Sequence, residues 1–347
     1  MKASFVSSLS VSQAMRHSLQ RMQADLIVAQ KEFSTQRVAD AGLALGARTG
    51  QSVSFSRDME RLQGIVDSNG IASARLKSTQ DSLSQLNTLA QSFLGTLTAS
   101  AAGDASVGVT LTDARGMLEG LTSILNSSLN GEHLFAGINT DVKPINEFKA
   151  GSPNKAAYDA AFLSHFGFAQ TDPAAANITS PQMKTFMDTV VEPQFLGAGW
   201  SSWSSASDQP VVSRITLNET AETSVSANND AFRKLAMAAA MISDTFSADF
   251  NSGARGAAVT RAIELVGEAL GANANIQSQA GIAENRLKRA SERLDMQIDL
   301  FERNVLDMEG VDSYEATNRV KTLLSQIEAS YAITANIRQL SLMKFLT

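Results

Sequence analysis

Three histidines, His17, His133 and His165, are the residues of this chain best suited to acid–base or metal chemistry. They lie far apart in sequence, and none has a metal-ligating residue three or four positions away, as a helical metal site requires. Glu132 and His133 are adjacent and so point different ways; a structural role for His133 is expected, with a weak ion or proton site as the alternative. The stretch GLALGARTG, 42–50, is rich in glycine. It lacks the Lys-Ser/Thr of a phosphate-binding loop and follows no strand, so it is expected to be a hinge. No G-x-S-x-G nucleophile elbow occurs. The chain has no cysteine, which excludes disulfides, thiolate metal sites and a cysteine nucleophile. In ENRLKRASERLD, 284–295, acidic and basic residues alternate at helical spacing, giving a solvated face in which Glu284 pairs with Lys288 and Glu292 with Arg289 or Arg293. Asn126, Asn177 and Asn218 each start an N-x-Ser/Thr triplet, expected to be chance in a chain without a secretory signal. The one cluster that could serve an enzyme is Trp200, Trp203, His165 and Asp208, around which a peptidoglycan hydrolase site could be built. The expectation is no catalytic residue, no metal and no cofactor.

Composition narrows the partners. The net charge is −6 and no basic run stands out, so nucleic acid is not the main partner. No apolar run approaches the roughly 20 residues that cross a bilayer, so no membrane insertion is expected. The N-terminus lacks the apolar core and cleavage site of a secretory signal, so an exported protein would need a route without signal cleavage. Hydrophobic residues at 44% with only 6% aromatics suit long helices better than a large enzyme core.

The elements that would position any site are helical at both ends. Phe5, Ser8, Ser12, Met15, Leu19, Met22, Leu26, Ala29 and Phe33 recur at three- and four-residue steps, a seam that needs a partner helix. After the glycine-rich stretch, a second helix is expected from about Ser56 to Ala101. Leu62, Asn69, Leu76, Leu83, Ala90 and Leu97 lie on its seam, and it would be about 65–70 Å long. A third carries Leu111, Ala114, Leu118, Leu121 and Leu125. Helical pattern returns at Asn228 with Phe232, Leu235, Ala239 and Ile242. It continues from about Ala257 to Met308 and closes with Leu323, Ile327, Ile337 and Leu340. Between them, residues 138–225 hold all six prolines, both tryptophans and turn-rich stretches. VVSRITLNETAETSVS reads there as one or two strands, with short helices near Ala156–Phe168 and Pro181–Val191.

The fold class expected is mainly α: an elongated helical bundle or coiled-coil rod of N- and C-terminal segments, with an inserted smaller domain containing β structure. The first helix would pair with the last and the inner helices with each other. The domains would be 1–45 and 306–347 as terminal helices, 46–137 with 226–305 as the rod, and 138–225 as the insertion.

Three stretches carry a resemblance. SSLNGEHLFAGINTDVKPI, 127–145, resembles the end of the helical core in the hook-associated protein 3 family of bacterial flagella, hook–filament junction proteins of the flagellin superfamily. LLSQIEASYAITANIRQLSLMKFL, 323–346, resembles the C-terminal flagellin-type helix, and QRMQADLIVAQKEFSTQRV, 20–38, the N-terminal one. The likeness covers both terminal thirds. TQRVADAGLALGARTGQ departs from the family's Gly-Lys/Arg and Asp-Asp-Pro pattern after the first helix, and from the Ala-x-Asp-Asp-x-Ala of ordinary flagellin. The resemblance implies a structural, non-enzymatic protein that forms a ring between hook and filament. Its partners would be copies of itself, the adjacent hook-associated junction protein, flagellin and an export chaperone at the C-terminus. It would leave the cell without signal cleavage through the flagellar type III apparatus. Its ends would be disordered in the free monomer and helical on assembly, with an assembly seam of Leu19, Met22, Leu26, Phe33, Leu323, Ile327, Ile337 and Leu340. A filament-forming flagellin, or an adhesin or effector on a coiled-coil stalk, are the other structural readings.

Overall fold

The computed structural model describes residues 8–247 and 249–346, with side chains described for 10–336 apart from Ser12 and Ala248. The fold is mainly α, with two small antiparallel two-stranded sheets among the described residues. The chain divides into two compact units, residues 1–64 with 294–347 and residues 65–293. The boundaries expected at 45/46 and 305/306 both lie inside the first unit.

The first unit contains α1 (Ser8–Thr35), the short α2 (Ala41–Leu45) and α10 (Ser313–Leu346). It also takes in the start of α3 (Thr49–Ala102) and the end of α9 (Ser252–Glu309). The glycine-rich stretch expected to be flexible folds into α2, a 3₁₀ turn and the first turn of α3. Asp40 explains the difference: its Oδ1 accepts the Leu43 N–H at 3.0 Å and caps α2, whose Leu45 is buried. Phe55 of α3 stacks on Phe301 of α9 with ring centroids 5.4 Å apart.

In the second unit α3 and α9 run antiparallel, and their apolar seams match the sequence periodicity. Leu76, Leu83, Leu86, Ala90, Phe93 and Leu97 of α3 are all buried. Two asparagines lie in these seams. Asn69 donates to the Ile215 carbonyl at 3.0 Å and to Ser291 Oγ at 3.2 Å, and Asn273 donates to the Leu83 carbonyl at 3.1 Å. A buried amide whose Nδ2 finds its acceptors in one register only is a register device, here at the cost of leaving each Oδ1 without a partner. α4 (Val107–Leu125), capped by Ser106, packs on α8 (Asp230–Thr245), capped by Asn229. Gly120 of α4 takes the Leu89 side chain, whose Cδ2 would lie 2.5 Å from an added Cβ.

The stretch 127–145 is a stitch between outgoing and returning chain. Strands β1 (Ser128–Leu129) and β2 (Glu132–His133) form a hairpin across Asn130 and Gly131, both with positive φ, the two-residue turn that Asn-Gly favours. Arg75 of α3 donates to Glu132 Oε2 and to the His133 carbonyl, each at 2.7 Å. The amide of Asn126 clasps Ile145 from both sides, accepting its N–H and donating to its carbonyl at 2.9 Å each. Leu134, Phe135 and Ala136 are buried, and the chain then threads between returning segments. Ala227 N–H donates to the Phe135 carbonyl at 2.7 Å, Ser207 to Ala136 at 2.9 Å, and Ile138 N–H to Gln209 at 3.1 Å. Gly137 has φ +62°, and an added Cβ would lie 2.4 Å from the Ser207 carbonyl oxygen, so only glycine passes there.

Residues 138–225 hold the short helices α5 (Pro153–Phe166), α6 (Ser180–Phe186) and α7 (Glu192–Leu196), with a π turn at Met187–Val191. The expected strands are β3 (Val212–Arg214) and β4 (Thr220–Glu222), an antiparallel hairpin. The segment has no core of its own. Tyr158, Phe162, Phe186, Phe195, Trp200 and Trp203 join Phe135, Phe232 and the faces of α4 and α8 in one continuous apolar cluster.

Candidate assembly interface

The seam expected on the terminal helices lies between α1 and α10, which pack against one another. They run antiparallel, with Gln23 Nε2 donating to Tyr331 Oη at 3.0 Å and Arg319 to Glu32 Oε2 at 2.9 Å. Ala29, Ala316 and Ile327 are buried, and Leu19, Met22, Leu26 and Leu323 are half-buried. The side chains of Ile337 and Leu340 lie outside the described residues.

Phe33 is the exception. It is 50% exposed, and the buried position beside it belongs to Glu32. That carboxylate is satisfied on both oxygens, by the Ala39 N–H at 3.3 Å and by Arg319. A paired carboxylate can lie in a seam where an unpaired one cannot. Outside the seam the pair shows a second set of large apolar side chains to solvent: Ile27 at 68% exposure, with Val28, Phe33, Tyr331 and Ile333.

The candidates for chemistry do not converge. His133 Nδ1 lies 3.0 Å from the Asn126 carbonyl and its own carbonyl is held by Arg75, the structural role expected of it. His165 packs against the rings of Phe166 and Phe186. Trp200 and Trp203 stack 5.9 Å apart inside the core, and Asn228 is shared by Trp200 Nε1 at 2.8 Å and Asp208 at 2.7 Å. Arg286 and Arg293 reach Glu219 at the tip of the β3–β4 hairpin, at 3.0 and 3.3 Å, and Gln80 takes Glu284 at 2.9 Å. These arginines tie the hairpin to α9. Among the described residues no group of three His, Cys, Asp or Glu could hold a metal ion, and no helix is long and apolar enough to cross a membrane.

One open cleft, of about 740 Å³, is lined by Arg115, Glu147, Lys149, Lys155 and Asp244. Lys155 stands between two carboxylates, bonded to Asp159 and 3.0 Å from Asp244 Oδ2, off the axis of a good hydrogen bond. Burial pushes Asp244 up to about 6; Lys155 and, more weakly, Arg115 oppose this and Asp159 adds to it. For Lys155, burial works against its charge, but the two carboxylates outweigh it and raise its pKa.

The profile described as the bacterial flagellin N-terminal helical region matches residues 6–140, and that of the flagellin C-terminal helical region matches residues 263–346. Together they span more than half of the sequence. The chain belongs to the bacterial flagellin family. No curated protein matches it in sequence. Its fold is similar to a solved structure described as a flagellar hook-associated protein from Vibrio parahaemolyticus, with a TM-score of 0.53 at 10% identity, covering 76% of this chain and 97% of that one. As a flagellin-family protein it is a structural, self-assembling component of the extracellular flagellum and not an enzyme. Sequence reasoning missed the residues that close this architecture: Arg75, Asn126 and Asn228, whose partners are distant, and the Asn130–Gly131 turn, whose signal was plain.

Proposed function

We propose that this chain is a hook–filament junction protein of the hook-associated protein 3 type, a ring between hook and flagellin filament that adapts one to the other. The observation that carries the reading is the stitch at 127–145, the segment with the most specific likeness to that family, here built around Arg75, Asn126 and Gly137. The terminal pair α1–α10 is the assembly segment. Its seam closes within one chain, and exposed Ile27, Phe33 and Tyr331 are left for neighbouring subunits. Half-buried Leu19, Met22 and Leu26 hold the α1–α10 pair only thinly, and contacts with neighbouring subunits strengthen it on assembly. The partners are further copies of the chain, the adjacent hook-associated junction protein and flagellin, with an export chaperone on the C-terminal helix. Export uses the flagellar type III apparatus without signal cleavage.

The test is a strain lacking the gene. A junction protein leaves hooks without filaments while flagellin accumulates unpolymerised in the medium. A filament-forming flagellin, the alternative, leaves bare hooks and no flagellin in the medium. Filaments of normal length on such cells would refute both.

A further inference from the structure

Two helices of the first unit break at the same level. α1 ends at Thr35, and α9 ends at Glu309 before α10 begins at Ser313. The two crossings pair with each other. Arg37 and Gly310 form an antiparallel bridge, the Val38 N–H donates to the Glu309 carbonyl at 2.8 Å, and the Val311 N–H donates to the Gln36 carbonyl at 3.0 Å. Gln36 takes φ +53°, a left-handed conformation unusual for a side chain of its kind, and an added Cβ on Gly310 would lie 2.4 Å from the Leu306 carbonyl oxygen. Backbone bonds lost at the two helix ends are thus replaced by bonds between the crossings.

Each side of this bridge is pinned by one shielded carboxylate. Glu32 joins the crossing at Ala39 to Arg319 of α10, so it belongs to the terminal pair. Glu309, whose side chain is 15% exposed, accepts from Ser52 Oγ at the start of α3 and lies 3.7 Å from Arg37. It is the group that joins the crossing to α3 and α9.

We propose that the crossings form a latched hinge and that Glu309 is its latch: it fixes the direction in which the α1–α10 pair leaves α3 and α9, while Glu32 keeps the pair itself closed. Removal of Glu309 frees the pair to swing as a body without opening it. The inference holds for either flagellar role considered above.

The absence of cysteine makes site-directed spin labels simple to place in the full chain. One labelled pair, at the exposed positions Glu302 of α9 and Gln326 of α10, spans the hinge; a second, at Gln20 and Gln326, lies within the terminal pair. Pulsed electron resonance should give one narrow distance for each in the unsubstituted chain. Glu309→Ala should widen the hinge-spanning distribution by roughly twofold and leave the second unchanged. Glu309→Gln, which keeps the Ser52 bond, should have a smaller effect. Glu32→Ala should widen the second. The proposal is overturned by an unchanged hinge distance in Glu309→Ala, by both distances widening together in that variant, or by a hinge distance already broad without substitution.

Discussion

Asp244→Asn should stabilise the second unit above neutral pH and leave it unchanged in mild acid. Asp244 lies in the last turn of α8, where the helix dipole disfavours a negative charge, and it is largely buried beside Tyr158. Lys155 and Asp159 face it from α5 and Arg115 from α4. The carboxyl titrates at about 6 in the folded chain against 3.8 unexposed to the fold, so folded protein holds the proton more tightly than unfolded. Stability therefore rises as pH falls through about 6 and is fully gained below about 4. At about 1.4 kcal/mol per pKa unit, the ionised side chain disfavours the folded state by about 3 kcal/mol at neutral pH. Asparagine resembles the protonated acid, so the gain for the variant approaches that figure near pH 8 and vanishes near pH 4. Glu268 has the opposite sign. Lys234 holds its pKa below the usual value, so its contribution is present above the ordinary glutamate range and is lost as pH falls through its folded value. The useful window is therefore about pH 7.5 to 5. Both tryptophans lie in the core of the second unit, so urea unfolding followed by their fluorescence reads that unit alone. A midpoint that falls between pH 7.5 and 5 in the unsubstituted chain, or an Asn variant less stable at pH 8, would refute the argument.

Gly137→Ala should cost about 2–4 kcal/mol in the same assay, since the Cβ meets two carbonyl oxygens and the φ is left-handed. Arg75→Met should cost about 1–3 kcal/mol by leaving Glu132 and the His133 carbonyl without their shared donor. Ile327→Asp or Leu26→Asp should place a charge in the terminal seam at a cost of several kcal/mol, lowering helicity and abolishing assembly seen by electron microscopy, with the tryptophan midpoint unmoved.

The long helices were legible because periodicity over dozens of residues has one physical solution. Asn69, Leu76, Leu83 and Leu97 fall on the buried face the spacing predicts. The pairing of α1 with α10 was legible for the same reason. What escaped depends on partners far along the chain. Glu32 displaces Phe33 from the seam because Arg319, 287 positions away, neutralises it. The middle segment stood out by its prolines, tryptophans and turn-rich stretches, but the packing of Tyr158, Phe162, Phe186 and Trp203 in one cluster with residues of α4 and α8 was not legible, because these rings follow no period. The residues of the peptidoglycan hydrolase reading do not assemble a site there: Trp200 and Trp203 are core, and His165 packs against the rings of Phe166 and Phe186.

The stitch at 127–145 also dictates an order of events for a chain that emerges from its N-terminus. Phe135 and Ala136 wait for Ser207 and Ala227, Asn69 waits for Ser291 222 positions later, and Gln23 waits for Tyr331 308 positions later. The first helix made is thus the last completed. Closing such long loops costs entropy that grows only with the logarithm of their length, so the finished molecule bears it easily. The rate bears more of it: contacts this distant make for slow folding, and no half of the sequence can bury its seams alone. A nascent chain therefore cannot complete these contacts until almost all of it has appeared.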